Sequence, residues 1–440
     1  MRTAEGVGGV KKSALARLSA FVLIISVVLA VAAGTAAQER ATVTVWGWEY
    51  QKKVVDAILP LFTRRNPSIT VDWKIMAPQQ VRQNMLLAFS SGTGAPDVFG
   101  AESAWLPQLL AVGGATDVTE RARPYVSKFN RFKWQDVTVN GRIFGMPWDS
   151  GPVALYYRRD VLEKAGLPSD PEQVAKLFAT WNEYAQLARK IHTATGAYMF
   201  AHARANNDAR DFEKLAWQRG AGYFDEQGRV ILDTRKDNVE VLTFLAQFWK
   251  DDLAQDTEPW TPAWYKGFTD GSVATHFGAV WMGGFLRTWI AADAAGKWGV
   301  VPLPAWAPGG VRTSNDGGSN LVVSAQSKVK DAAWALVEFV TANREAQVTA
   351  WRAMDSFPSL DEAYSSPFAR LGDPYFGGQA YRQVFVDLVK QIPAWYYTKD
   401  YPEANSVMAQ EIVNVALGRK TPEQAIRDAA SEIRRRTGRP

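Results

Sequence analysis

Residues 143–157 read IFGMPWDSGPVALYY. The stretch opens as a strand, breaks at Met146-Pro147 with Trp148 and Asp149 at the break, and resumes through Pro152 as an apolar run ending in Tyr156-Tyr157. Proline cannot donate to a strand ladder, so a strand interrupted in this way ends one sheet or begins another. The pattern predicts a chain that leaves one lobe and enters a second here, with a polar ligand held at the crossing.

The sequence on either side alternates strand and helix. Val43 and Val45 alternate with threonines, and Val54, Val55, Ile58, Leu59 and Phe62 then recur at helical spacing until Asn66-Pro67. A second strand is expected at 69–73, a helix at 78–90 and a third strand around Asp97-Val98-Phe99. Further on, strands are predicted at 142–144, 153–157, 299–302 and 321–323. Helices are predicted at 181–191, 237–251, 331–341, 404–417 and 421–435. Thr180 with Glu183 and Thr421 with Gln424 have the spacing of capping boxes. This alternation is the signature of an α/β fold. With no long linker in the chain, two lobes must be joined through strands. The proline- and glycine-marked breaks at 146–152, 312–318 and 351–358 are the candidate crossings.

The 440 residues, 47% of them hydrophobic, suffice for two cores. The amino end differs from the rest. Arg2, Lys11, Lys12 and Arg17 precede an almost wholly apolar run over 18–33, then Gly34-Thr35-Ala36-Ala37. A basic region, a short apolar region and a small-residue site predict a cleaved secretory signal peptide over 1–37, with an uncleaved anchor as the competing reading. Removing that segment takes away four basic residues and one acidic one, leaving 46 against 44. So near-even a balance argues against nucleic acid as a partner. There is no cysteine, which excludes disulfides, thiolate metal sites, a cysteine nucleophile and a lipid-bearing cysteine. An untethered periplasmic protein is the expectation.

Catalytic signatures are scarce. The three histidines, His192, His202 and His276, form no metal motif, and neither a phosphate loop nor a nucleophile elbow is present. No cofactor and no metal is expected. Two loop carboxylates such as Glu49 and Asp149 leave a glycosidase open. The pairs Tyr156-Tyr157 and Tyr396-Tyr397 leave a ferric-iron reading open. More telling are the eighteen tryptophans. Trp105, Trp181, Trp249, Trp289 and Trp334 lie in helical patterns, where core packing is the expectation for most. Trp46, Trp48, Trp148, Trp281 and Trp351 sit at strand ends, glycine-rich turns or a proposed crossing. Glu49, Glu102, Asp149 and Asn315-Asp316 lie near such points. Aromatic faces suit the C–H faces of a sugar ring, and carboxylates accept hydrogen bonds from its hydroxyls, the mixture that binding clefts use.

The segment GRIFGMPWDSGPVALYYRRDVLEKAGLP closely resembles part of the extracellular solute-binding proteins of sugar-type ABC importers, the maltose- and oligosaccharide-binding family. TVTVWGWEY, SGTGAPDVFGAESAW, TWNEYAQLARK, FTDGSVATHFGAVWMGGFL, WGVVPLPAWAPGG, GGSNLVVSAQSKVKDAAWALVEFVT and EIVNVALGRKTPEQAIRDAASEIRR agree in order. The resemblance implies a two-lobed periplasmic-binding-protein fold with three crossings, a ligand cleft between the lobes, and hinge closure. One lobe would comprise 38–150 and 317–350, the other 151–316 and 351–440. It implies ligand contacts from Trp46, Trp48 and Glu49, from Glu102, and from Trp148 and Asp149. Trp281 and Gly283, Asp316 and Gly318, and Trp351 and Arg352 complete the set. The implied partners are a di- or oligosaccharide and the membrane subunits of a permease, with the protein a monomer and not an enzyme. A polyol, an anionic sugar or a glycerol phosphodiester remains an alternative ligand, the anionic one supported by Arg352 and the glycine-rich turns.

Overall fold

The computed structural model describes residues 40–205 and 208–440; the leader expected over 1–37 lies outside them. Strand β1 (Ala41–Gly47) buries Val43 and Val45 on one face, as its alternation demands. It pairs in parallel with β2 (Ile69–Ile75) and β3 (Val98–Glu102). Helices α1 (Glu49–Arg65) and α2 (Pro78–Ser91) make the crossovers that parallel pairing requires. Met146–Pro147 (β4) and Ser319–Val323 (β9) complete this five-stranded sheet in the order β2-β1-β3-β9-β4, with β9 antiparallel to both its neighbours.

The second sheet is built on β5 (Pro152–Arg158), every residue of which is buried. Strands β6 (Thr275–Ala279), β7 (Trp298–Val301) and β8 (Ser314–Asn315) all pair with it antiparallel. Each sheet has its own hydrophobic core. The first draws on Val43 through Trp148 and Leu321 through Ala350, with Leu360 added. The second draws on Val153 through Leu303 and Trp351 through Ile433. Among the described residues no helix is long and apolar enough to cross a membrane.

Three strips of backbone run side by side between the cores. Trp148 N donates to Ser319 O at 3.0 Å and Asp316 N donates to Gly151 O at 2.8 Å, tying the first strip to the second. Ser150 N donates to Phe357 O at 3.0 Å and Ser359 N donates to Trp148 O at 3.2 Å, tying the first to the third. The third strip starts later than the sequence predicts. Helix α6, which follows α5 (Lys330–Ala342), is capped by Asn343 and runs Arg344–Met354, so Trp351 lies inside a helix. The remaining helices used below are α3 (Arg210–Gln218), α4 (Trp281–Phe285), α7 (Tyr401–Ala416) and α8 (Pro422–Thr437).

Candidate functional site

A cavity of about 810 Å³ lies between the two cores. Trp48 and Glu102 enter it from the carboxyl ends of β1 and β3, the edge where open α/β sheets place ligands. Arg210, Glu213 and Lys214 enter from α3, and Trp281 and Phe285 from α4. The crossings supply Asp149 and the run 315–319.

Asp149 is held by Ser319, whose backbone N–H and Oγ both donate to its Oδ1 at 2.6 Å. Burial raises its carboxyl above the ordinary range, more than Ser319 and the nearby Lys133 charge lower it. Glu102 accepts from Trp105 Nε1 at 3.2 Å. Burial raises it too, against the opposing pull of Arg210. Glu213 takes hydrogen bonds from Tyr223, Tyr401 and Asn405 at 2.7–3.0 Å and is likewise raised by burial. Lys214 is occupied by Phe277 O at 3.0 Å and Asp211 at 2.9 Å. The cavity thus presents six carboxylates, of Glu102, Asp149, Asp208, Glu213, Glu258 and Asp316, against Arg82, Arg210 and Lys214.

Trp281 is half-buried, and its Nε1 donates to Asp316 O at 3.1 Å, which fixes the ring across the second crossing. Trp260 lies 6.1 Å from it at 28°, and Phe285 lies 5.5 Å away. A buried ion-pair cluster anchors the helix that carries Trp281 and Phe285. Arg287, just beyond α4, reaches Asp355 at 2.5 Å and Asp373 at 2.6 Å. Arg382 reaches the same two carboxylates at 2.7 and 3.0 Å. Asp355 follows α6 directly, so the aromatic wall is tied to the third crossing.

Of the residues expected at a ligand, Trp48, Glu102, Asp149, Trp281, Asp316 and Gly318 line the cavity. The other six do not. Trp148 is 2% exposed and packs in the first core. Side chains alternate along an extended crossing, so with Asp149 facing the cavity Trp148 must face away. Trp46 lies inside β1, opposite Lys74 of β2, whose ammonium stands 5.3 Å from its ring. Glu49 opens α1, where a carboxylate complements the helix dipole, and it pairs with Lys53 at 2.8 Å. Gly283 serves packing: a Cβ there would stand 2.7 Å from the Tyr381 ring. Trp351 is fully buried among Phe357, Tyr364 and Phe368. Arg352 is exposed, with its guanidinium 5.5 Å from the Phe368 ring.

Trp260, Arg210 and Glu213 line the cavity without having been expected there, and Tyr397, considered only in the ferric-iron reading, lines it too. Glu258-Pro259-Trp260 carries the same signal as Pro147-Trp148, an aromatic in a proline-marked break. The others come from α3 and the approach to α7, whose patterns reveal nothing about which face meets the cleft. Of the tryptophans assigned to helical packing, Trp289 differs and is 50% exposed, whereas Trp105 packs in the first core at 3% exposure and also reaches the cavity wall.

A family profile described as bacterial extracellular solute-binding protein matches residues 44–347. An arabinooligosaccharide-binding protein of Halalkalibacterium halodurans is 29% identical over 364 residues, covering 80% of this chain and 79% of that protein. A lactose-binding protein of Rhizobium radiobacter is 27% identical over 368 residues, covering 81% of this chain and 83% of that protein. The solved structure of an ABC transporter-associated binding protein from B. animalis subsp. lactis, in complex with β-1,6-galactobiose, aligns with a TM-score of 0.74. That alignment is at 25% identity and covers 90% of this chain and 97% of the other.

Proposed function

The chain belongs to the bacterial extracellular solute-binding protein family, and from that premise we propose that it captures a neutral di- or oligosaccharide for an ABC importer. The observation that carries this reading is the pairing of Trp281 with the carboxylates of Glu102, Asp149 and Asp316 in one cavity between two cores. A flat ring binds the apolar face of a sugar, and the carboxylates take its hydroxyl protons. The relatives named for arabinooligosaccharide and lactose binding, and the galactobiose complex, support the ligand class.

The charge of the cavity bears on the alternatives. The carboxyl groups of the cavity outnumber its cations six to three, which favours a neutral ligand over a uronic acid or a phosphodiester. Arg352, the residue that suggested an anionic ligand, stands outside the cavity. We assign one lobe to 38–150 with 317–350 and the other to 151–316 with 351–440, with Asp149 and Asp316 on the strips between them. Ligand contacts from both sides favour a closed state by their differential affinity, and closure presents the loaded protein to the permease. The protein acts as a periplasmic monomer that releases its ligand unaltered, and neither nucleic acid nor a metal takes part.

A thermal-shift screen of the protein against sugars, polyols and organic phosphates tests this. A ligand bound only by the native state raises the melting midpoint by mass action. A rise with one class of neutral saccharide is expected. A rise with a phosphodiester or an acidic sugar alone would discard the neutral-carbohydrate reading, and release of a hydrolysis product would discard the binding role.

A further inference from the structure

Helix α4 continues into a wider turn, Leu286–Ile290, with hydrogen bonding of the i to i+5 kind. Such turns are rare and concentrate at functional sites. Here the turn has a geometric effect. In an α-helix four residues overshoot a full turn by about 40°, so rings at 281, 285 and 289 would drift about 80° around the axis. A turn holding an extra residue undershoots at that step and brings Trp289 back towards the stripe of Trp281 and Phe285.

The result is a continuous row of rings. The Trp281 and Phe285 centroids are 5.5 Å apart, and those of Phe285 and Trp289 are also 5.5 Å apart, with interplanar angles of 50° and 52°. Trp281 and Phe285 line the cavity, whereas Trp289 lies outside it and is 50% exposed. Trp260 flanks the inner end and is 37% exposed. Its φ of 66° falls in a region that bulky side chains rarely occupy, which marks a conformation held by its surroundings. Tyr265 braces both ends of the row. Its hydroxyl donates to Trp260 O at 2.9 Å and its ring lies 5.2 Å from Trp289.

Resting on the carbohydrate reading above, we propose that this row is an extended binding track and that the ligand is an oligosaccharide longer than the cavity. Its inner units lie against Trp281 and Phe285, and its outer units stack on Trp289 beyond the mouth of the cleft. A single file of rings, continuous with a ligand cavity, matches a linear chain of sugar rings. A protein partner would instead need a broad face, about 800 Å² per side.

Isothermal titration with linear malto-, arabino- and galacto-oligosaccharides, from disaccharide to hexasaccharide, tests the track. In the series that binds, affinity should climb beyond the disaccharide. Trp289→Ala should weaken binding by an amount that grows with chain length, reaching about tenfold for the longest member. Trp289→Tyr, which keeps a ring, should restore most of the climb. Affinity that levels off at the disaccharide, or a Trp289→Ala loss that is equal at every length, overturns the track but leaves the carbohydrate reading intact. Failure of every member of every series to bind overturns the carbohydrate reading and the track with it.

Discussion

Trp148 and Asp149 are neighbours in sequence, and the fold separates them: one ring is in a core and one carboxylate is in the cavity. Strand alternation decides between them, and it works only once one of the two has been placed. Trp281, on a helix start beside a glycine pair, lines the cavity, whereas Trp46 lies inside β1 and Trp351 is buried in a helix. Trp281→Ala should weaken binding of the cognate sugar at least about tenfold, or about 1.4 kcal/mol. Because the ring is half-buried, the ligand-free protein should melt close to the unmodified one; a large drop in that midpoint would make Trp281 a packing residue. His276 offers a test of stability. Burial, with the Lys214 charge adding and Asp211 opposing, pushes its imidazole down to about 3. The folded state therefore favours neutral His276. The stability this confers is present above the unfolded value of about 6.5 and is lost as pH falls towards the folded one. Chemical denaturation between about pH 7 and about pH 5 should show stability declining by up to about 1.4 kcal/mol per unit, and His276→Gln should flatten that decline. A slope that persists in the variant belongs to another group.

Elements were more legible than side chains. The first three strands and the two helices between them emerge from periodicity, and the Thr180 capping box forms in full, with Glu183 accepting a bond from the Thr180 backbone N–H. At Thr421 only half the box forms, from Gln424 N to the hydroxyl at 3.2 Å. Helix α6 was obscured because its end abuts a crossing, and the wide turn after α4 leaves no mark in composition. The tightest spot among the crossings is also invisible in sequence. A Cβ on Gly151 would stand 2.0 Å from Asp316 O, so the first and second strips leave no room for a side chain there. Gly151→Ala should force them apart and cost about 1–3 kcal/mol, the usual penalty of overpacking. Denaturant titration measures it, and a near-neutral result would mean the strips yield easily.

For the molecule as a whole, a formal net charge of +5 coexists with an acid-rich cavity, a contrast that only the fold reveals. If closure accompanies capture, the radius of gyration from solution scattering should fall when a saturating sugar is added; an unchanged profile would leave the lobes fixed. The two cores have a further consequence. Each is a separate apolar unit, joined through the three strips and through α6, which gives Ala350 to one core and Trp351 to the other, so the ligand-free chain need not melt in one step. Scanning calorimetry should resolve a broadened or double endotherm without ligand. A bound sugar that touches both sides couples the units, and the two should merge into one sharper transition at higher temperature. The width of the heat-absorption peak then becomes a label-free record of whether a candidate sugar engages one side or both.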